Sequence, residues 1–215
     1  MALRINELFF SIQGESSFAG RPCVFVRLTG CNLRCRYCDT RYAYDEGEYL
    51  DAATVRQKVA SYGCRLVEIT GGEPLLQEET PFLIRRLLDE GFQVLLEKNG
   101  SLDISAVDRR CVRIVDVKCP SSGMEKRNRL ENLALLTPRD EVKFVIGDRT
   151  DFDYAKGILA DHLSSRKEAQ PPLFSTVYGA LELKTVARWI LEERLNVRLQ
   201  PQLHKAIWGA EVRGL

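Results

Sequence analysis

Histidine is nearly absent from this chain. His162 and His204 are the only two, they lie far apart, and no HxxxH or second CxxC pair accompanies them, so the sequence offers no ready set of four zinc ligands. Long apolar runs are missing too: no uncharged stretch approaches the roughly 20 residues that span a bilayer. The N-terminal segment MALRINELFF has Arg4 and Glu7 inside its apolar run and no small-residue cleavage site. A cytoplasmic protein without a membrane partner is expected. Nor is there an excess of charge: 31 Lys and Arg against 30 Asp and Glu leave a net charge of +1, and no block of basic residues supplies a local field. Direct nucleic-acid binding is therefore not expected, and the substrate should be small. Repeats, low-complexity tracts and long linkers are also lacking, and the most polar connection, SSRKEAQPP, is short enough to be a loop. With 45 % hydrophobic and 28 % charged residues over 215 positions, a single domain spanning residues 1–215 is predicted.

Cysteine is what the chain does hold, in an odd number, seven. Cys23, Cys64, Cys111 and Cys119 are scattered through apolar surroundings and read as reduced packing residues, not as a disulfide scaffold.

Short β-branched runs recur along the chain: CVFVRLTG, RLVEITGG, FQVLLEKNG, VRIVDVKCP, EVKFVIGD, PLFSTVYG and NVRLQPQ. Helical segments fall between them. Asp51 reads as the N-cap of AATVRQKVASYG, with Gly63 at its end; Thr80 and Pro81 read as N-cap and first residue of a helix running to Gly91. TDFDYAKGILADHL and LELKTVARWILEERL are later amphipathic helices. This alternation predicts an α/β fold with parallel βαβ units. A complete eightfold barrel needs about 250 residues, so the expectation is a shortened, partly open β/α barrel of about six parallel strands. LRINELFFSIQGE should add an N-terminal strand or hairpin. An open doubly wound sheet is the alternative, and either puts function at the carboxyl ends of strands.

The stretch CNLRCRYCDT places Cys31, Cys35 and Cys38 in a CxxxCxxC spacing. Three readings compete: a zinc site completed by distant ligands, thiols gathered by chance in a loop, or a 4Fe-4S cluster. The turn-rich GCNLRC leaves the thiols no core to pack into, and three thiolates leave one iron of a cubane open to a small molecule. Tyr37 could support an adenine or shield the metal. Asp39 and Thr40 are hard oxygen donors of the kind magnesium takes, or simple turn residues. One βα unit later, EITGGEPLL presents Gly71, Gly72, Glu73 and Pro74 at a strand end, where glycines allow close backbone approach and oxygens can accept from an ammonium. Glu97, Asn99, Asp116, Lys118, Lys143, Ser175 and Tyr178 fall at the same rim; a structural ion pair across adjacent strands would equally explain Lys143 and Glu97.

The cysteine spacing resembles that of the radical S-adenosylmethionine superfamily. FFSIQGESSFAGRPCVFVRLTGCNLRCRYCDT, EITGGEPLLQ, NGSLDIS, DVKCPSSG and RLQPQLHKAIW together resemble the 7-carboxy-7-deazaguanine synthase family over nearly the whole chain. The resemblance implies a homodimeric lyase of the queuosine and deazapurine pathway that converts 6-carboxy-5,6,7,8-tetrahydropterin to 7-carboxy-7-deazaguanine with loss of ammonia. Electrons would come from a donor such as flavodoxin or ferredoxin. It implies that Cys31, Cys35 and Cys38 hold the cluster and that Tyr37, Asp39, Gly71, Gly72, Glu73, Lys118 and Ser175 lie along S-adenosylmethionine. Thr40 would offer its hydroxyl to Mg²⁺. Ile12, Gln13, Gly14, Glu15, Arg27, Thr70, His204 and the Leu215 carboxylate would surround the pterin, with Glu15 accepting from its guanidine-like edge and Arg27 pairing with a carboxylate. Taken alone, Glu15 could cap a turn and Arg27 could be a surface strand residue. Two positions depart from the family pattern: Ser16 stands where glycine is usual, and Lys98 where threonine is common. A glycyl-radical-enzyme activating enzyme and a zinc-binding interaction module are the competing readings.

Overall fold

The N-terminal run folds into the expected hairpin. In the computed structural model, which describes residues 2–164, 170–210 and 212–214, β1 (Ala2–Ile12) pairs antiparallel with β2 (Pro22–Leu28), with an irregularity between Ile5 and Glu7. A short strand that the sequence did not signal, β3 (Glu48–Asp51), adds to the other edge of β1 from Ala2↔Asp51 to Ile5↔Glu48. Its polar sequence, EYLD, carries no apolar alternation.

From β2 onward every pairing is parallel, through β4 (Leu66–Gly71), β5 (Gln93–Lys98), β6 (Val112–Asp116), β7 (Glu141–Ile146), β8 (Leu173–Thr176) and the two-residue β9 (Arg198–Leu199). The order is β3-β1-β2-β4-β5-β6-β7-β8-β9. Each parallel strand is laid beside the previous one with no reversal of direction. That is the winding of a barrel, whereas a doubly wound sheet reverses at a switch point. Edges remain at β3 and β9, so the barrel stays open, and β9 makes the parallel strands seven where about six were expected.

Helix α1 (Ala52–Ser61) starts as expected, Asp51 accepting from the Thr54 N–H at 2.8 Å, and Gly63 ends it at φ +67°. In α2 (Thr80–Asp89) Thr80 already lies inside the helix instead of capping it, its hydroxyl donating to Pro74 O at 2.7 Å. Next come α3 (Arg149–Ile158), which runs into a wider turn at Leu159–Leu163, α4 (Leu183–Glu192) and α5 (Leu203–Trp208). Strand and helix do not alternate throughout. The connections 99–111 and 117–140 contain only turns and short 3₁₀ segments. The loop SSRKEAQPP falls partly, at residues 165–169, outside the described residues. Among the described residues no helix is long and apolar enough to cross a membrane.

The period-2 alternation of strands divides the sheet into two unlike faces. Val24, Val26, Val67, Ile69, Val94 and Leu96 pack on α1 and α2 through Val55, Val59, Leu83, Ile84 and Leu87. Val142, Phe144, Ile146 and Phe174 pack on α3 and α4 through Phe152, Ala155 and Val186. The other face is graded along the strands: Cys23, Phe25, Leu66, Leu95, Val112 and Ile114 fill its amino-terminal part. Arg27, Glu68, Thr70, Glu97, Asp116, Lys143 and Ser175 continue the same alternation toward the carboxyl ends. Cys23, Cys111 and Cys119 are buried, Cys64 is half-buried, and all are free thiols. They pack as expected.

At the amino-terminal end of β6 and β7, the buried Arg113 Nη2 meets Asp140 Oδ2 at 2.6 Å. Asp140 also accepts from the Arg113 and Thr137 N–H groups at 2.8 and 2.6 Å. Removing one partner strands a buried charge, so Asp140→Ala is expected to cost about 3–5 kcal/mol, read from urea unfolding. A loss below about 1 kcal/mol would show the pair to be dispensable.

Candidate active site

A cavity of about 730 Å³ opens at the carboxyl ends of the strands, with Ile12, Gln13, Gly14 and Glu15 from the hairpin loop and Arg27 from β2 in its wall. Cys31, Cys35, Tyr37, Cys38, Asp39 and Thr40 line it from the segment after β2, and Thr70, Gly71 and Gly72 from the end of β4. Lys118 follows β6, and His204 belongs to α5. Two of the anticipated residues sit just behind the lining: Glu73 and Ser175 are both 1 % exposed. Leu215 lies outside the described residues.

The two glycines serve a packing role that sequence alone did not show. A Cβ on Gly71, at φ +152°, would lie 2.3 Å from Leu28 O, and one on Gly72 would lie 2.2 Å from Gly30 O and 2.8 Å from Cys31 Cβ. The end of β4 is thus pressed flush against the start of the cysteine loop, and Glu73 N donates to Gly30 O at 2.7 Å. The Glu73 carboxylate accepts from Leu75 N at 3.0 Å and from Asn99 N at 2.7 Å, tying the ends of β4 and β5 together. Asn99 in turn points Nδ2 at Cys31 Sγ, 3.8 Å away, and at Asn32 Oδ1, 3.0 Å away.

Among the described residues no three His, Cys, Asp or Glu side chains converge on a point where a single metal ion could sit. A zinc site requires such convergence, whereas a cubane binds each thiolate at a different iron and spreads them apart. Three cysteines on one loop, with no fourth ligand gathered beside them among the described residues, fit a cluster with one open iron. Two buried polar atoms on the cavity-facing side of β6 and β8 have no partner among the described residues, Asp116 Oδ1 and Ser175 Oγ. Unpartnered atoms of this kind favour a polar ligand.

The floor is a charged network. Lys143 Nζ donates to Glu15 Oε2 at 2.5 Å and also to Glu97, and lies 4.0 Å from Asp116 Oδ2. The pair with Glu97 does not join adjacent strands, because β6 lies between β5 and β7. Burial alone would lift the Glu15 carboxyl, but Lys143 and His204 hold it down to about 2. Glu68, which accepts from Gln13 Nε2, is pushed well above the usual carboxylate range by burial and by Glu97 and Glu15. Lys118 Nζ pairs with Asp116 Oδ2 at 2.8 Å, and Arg27 Nε with Glu7 Oε1 at 2.6 Å.

The segment after β9 closes one side. Leu203 N donates to Gly14 O at 2.9 Å, Gln202 Nε2 to Glu15 Oε1 at 2.8 Å, and Lys205 Nζ to Asp39 Oδ2 at 2.5 Å. His204 packs so tightly on Gly14 that an added Cβ would lie 2.1 Å from Nδ1. Burial lowers the His204 pKa despite the Glu15 charge, favouring neutral imidazole at pH 7. Burial would raise the Asp39 carboxyl, and Lys205 brings it to about 2. Thr40 Oγ1 is 3.1 Å from Asp39 Oδ1. Ser16, where the family pattern has glycine, takes the left-handed φ of +64°, with its hydroxyl accepting from Phe18 N at 3.1 Å. The serine thus holds a glycine-like backbone path.

Glu7, Glu68, Gln202 and Lys205 were missed by the sequence reading. Only Glu68, a charge in the apolar alternation LVEIT, and Lys205, beside His204, left any local trace.

The radical SAM superfamily model matches residues 25–160. Proteins named 7-carboxy-7-deazaguanine synthase are similar over almost the full length. The one from Chlorobaculum tepidum is 46 % identical over 99 % of this chain and 97 % of its own. The one from Koribacter versatilis is 43 % identical over 99 % and 100 %. The crystal structure of QueE from Escherichia coli shares the fold, with a TM-score of 0.79 at 24 % identity over 95 % of each chain.

Lys98, the second departure from the family pattern, lies on the helix-facing side of β5 by alternation with Glu97. It is 2 % exposed, and its Nζ has no hydrogen-bond partner among the described residues. Burial lowers its pKa from 10.5 to about 8, against the attraction of Glu73. A lysine whose folded pKa is depressed destabilises fully below the folded value, and the cost fades as pH rises toward the unfolded value. Lys98→Met is therefore expected to stabilise by roughly 3 kcal/mol at pH 7, at ~1.4 kcal/mol per unit, and by much less at pH 10. Equal gains in urea unfolding at both pH values would rule this out.

Proposed function

Because the chain belongs to the 7-carboxy-7-deazaguanine synthases of the radical SAM superfamily, we propose that its cavity converts 6-carboxy-5,6,7,8-tetrahydropterin to 7-carboxy-7-deazaguanine, ammonia being lost. What supports this reading most is a single cavity bordered by the cysteine loop, the Gly71–Gly72 turn, the QGE loop and His204. Neither rival accounts for that combination: a zinc module needs converging ligands, and an activating enzyme needs no QGE, Arg27 and His204 set.

Cys31, Cys35 and Cys38 would hold the 4Fe-4S cluster as thiolates. Once loaded, that cluster would supply one-electron reductive chemistry toward the sulfonium of S-adenosylmethionine. The backbone at Gly71, Gly72 and Glu73 would receive the cofactor's amine, with Tyr37, Asp39, Lys118 and the unpartnered Ser175 hydroxyl along its length. Ile12, Gln13, Gly14 and Thr70 would border the pterin. Glu15, ionised at neutral pH, can accept from its amino-pyrimidine edge. Arg27, which among the described residues uses only Nε internally, keeps its two terminal nitrogens for a carboxylate. His204, neutral, can accept or relay a proton.

Thr40 would offer Mg²⁺ one hard oxygen donor, and the ion would supply charge with which to orient the substrate. The Leu215 carboxylate would join the pterin site. By the same resemblance the enzyme works in the cytoplasm as a homodimer, a setting the free thiols suit, and takes electrons from flavodoxin or ferredoxin.

Anaerobic reconstitution with iron and sulfide, then S-adenosylmethionine, reductant, Mg²⁺ and the pterin, is expected to give 7-carboxy-7-deazaguanine by mass spectrometry. Formation of 5′-deoxyadenosine alone would count against the substrate. Cys35→Ala should lose cluster loading and all activity, so unchanged iron content refutes its role. Thr40→Ala should keep the cluster and blunt the response of the rate to Mg²⁺; an identical magnesium titration removes Thr40 from the metal site.

A further inference from the structure

The segment beyond α5 also borders the cavity, through Gly209, Ala210, Val212 and Arg213. Arg213 fastens it. Its guanidinium lies over the Tyr42 ring, 3.7 Å from the centroid, and Nη1 donates to Glu46 Oε2 at 3.2 Å. That ion pair is more than half exposed on both sides and alone would fix little. The stack is the firmer hold, because a planar guanidinium can lie face-on against a ring while its edge keeps a hydrogen bond.

Tyr42 is fixed from its other end. It closes the 3₁₀ turn Arg41–Tyr44 from within, and its hydroxyl donates to Glu7 Oε1 at 3.0 Å. The same oxygen accepts from Arg27 Nε at 2.6 Å. Glu7 and Arg27 are themselves partners across the hairpin of β1 and β2, and the Arg27 guanidinium also faces the Phe9 ring at 5.9 Å. Burial, joined by the Glu7 charge and opposed by Arg27 and Arg213, pushes the Tyr42 pKa up to about 12. The hydroxyl therefore keeps its proton and stays a donor. Arg213, Tyr42, Glu7 and Arg27 form one continuous chain of contacts that ends at the cavity wall. A carboxylate gripped by two donors cannot turn without losing one, so the direction of the Arg27 fork is set by Tyr42 as well as by Glu7.

Resting on the proposed function, we propose that Tyr42 and Arg213 are positioning residues, acting through Glu7 to aim the free edge of Arg27 at the substrate carboxylate. A clasp that only tied down the segment beyond α5 would serve every ligand of the cavity alike. A clasp that aims Arg27 shows itself only with ligands that carry a carboxylate.

The test compares two probes, 6-carboxypterin and pterin without the carboxylate, by calorimetric titration of the reconstituted enzyme with S-adenosylmethionine present. Tyr42→Phe, which removes the hydroxyl and keeps the ring, should weaken 6-carboxypterin about fivefold and leave pterin within about twofold. Arg213→Ala should weaken 6-carboxypterin about threefold, and should add little in the Tyr42→Phe background, because it acts through that hydroxyl. Arg213→Lys, which keeps the charge and loses the planar stack, should fall between Arg213→Ala and wild type. Equal losses for the two probes, unchanged 6-carboxypterin affinity in Tyr42→Phe, or fully additive losses in the double variant each overturn the proposal. Chymotrypsin cleavage after the exposed Trp208 reads the clasp with no ligand at all. Arg213→Ala should be cut several-fold faster than wild type, and Tyr42→Phe at the wild-type rate; an unchanged rate in Arg213→Ala removes the clasp. A wild type that binds neither probe, while Arg213→Ala is cut faster, refutes the substrate assignment and leaves the clasp of Arg213 on Tyr42 standing.

Discussion

One buried ammonium sets the shape of the cavity floor. Lys143 rises from β7 between Glu15 of the hairpin loop and Glu97 of β5, with Asp116 of β6 at 4.0 Å. Without it, Glu15 and Glu68 would share one desolvated space with no cation between them, and burial would push both carboxyl groups upward. With it, Glu15 is held down to about 2, while burial, Glu97 and Glu15 keep Glu68 well above the usual carboxylate range. The same ammonium anchors a loop from the amino-terminal hairpin onto a strand residue 128 positions further along the chain. A polar floor and a fixed loop are therefore one electrostatic arrangement.

The second constraint is steric. Gly71 and Gly72 bring the end of β4 so close to Leu28 and Gly30 that no side chain fits between them, and the cysteine loop leaves β2 at that point. Glu73 then locks the turn to Asn99, which reaches Cys31. The cysteine loop is held by neighbours in the sheet as well as by its own turns. That limits how far the thiols can wander before metal arrives, and burial, by raising the pKa of Cys31 and Cys35, makes metal binding displace protons.

What was legible in the sequence was whatever is local in the chain. CxxxCxxC, GGEP and QGE are short, and their chemistry is written in adjacent residues. The parallel strands show as β-branched runs, and Asp51 and Gly63 bound α1 as read. What escaped depends on long-range assembly. Lys205 meets Asp39 across 166 residues, and Gln202 meets Glu15 across 187. The helix α5, six residues long, has too little periodicity to announce itself. The helix-free connections after β5 and β6 are built on side-chain anchors such as Asn132, whose amide donates to Gly100 O and Leu102 O at 3.0 and 2.8 Å.

Charge is handled in opposite ways on the two sides of the cysteine loop. Inside, four cations are matched: Arg27 with Glu7, Lys143 with Glu15 and Glu97, Lys118 with Asp116, and Lys205 with Asp39. A ligand entering this cavity need not break a pair to find a partner, since among the described residues the terminal nitrogens of Arg27, Asp116 Oδ1 and Ser175 Oγ are spare. Such preorganisation confines the cost of binding to desolvation and the ligand's own freedom. Outside, the exposed Arg34 and Arg36 form no ion pair among the described residues, and in water an isolated charge costs little. Burial thus decides which charges must be satisfied within the fold and which can be left to water.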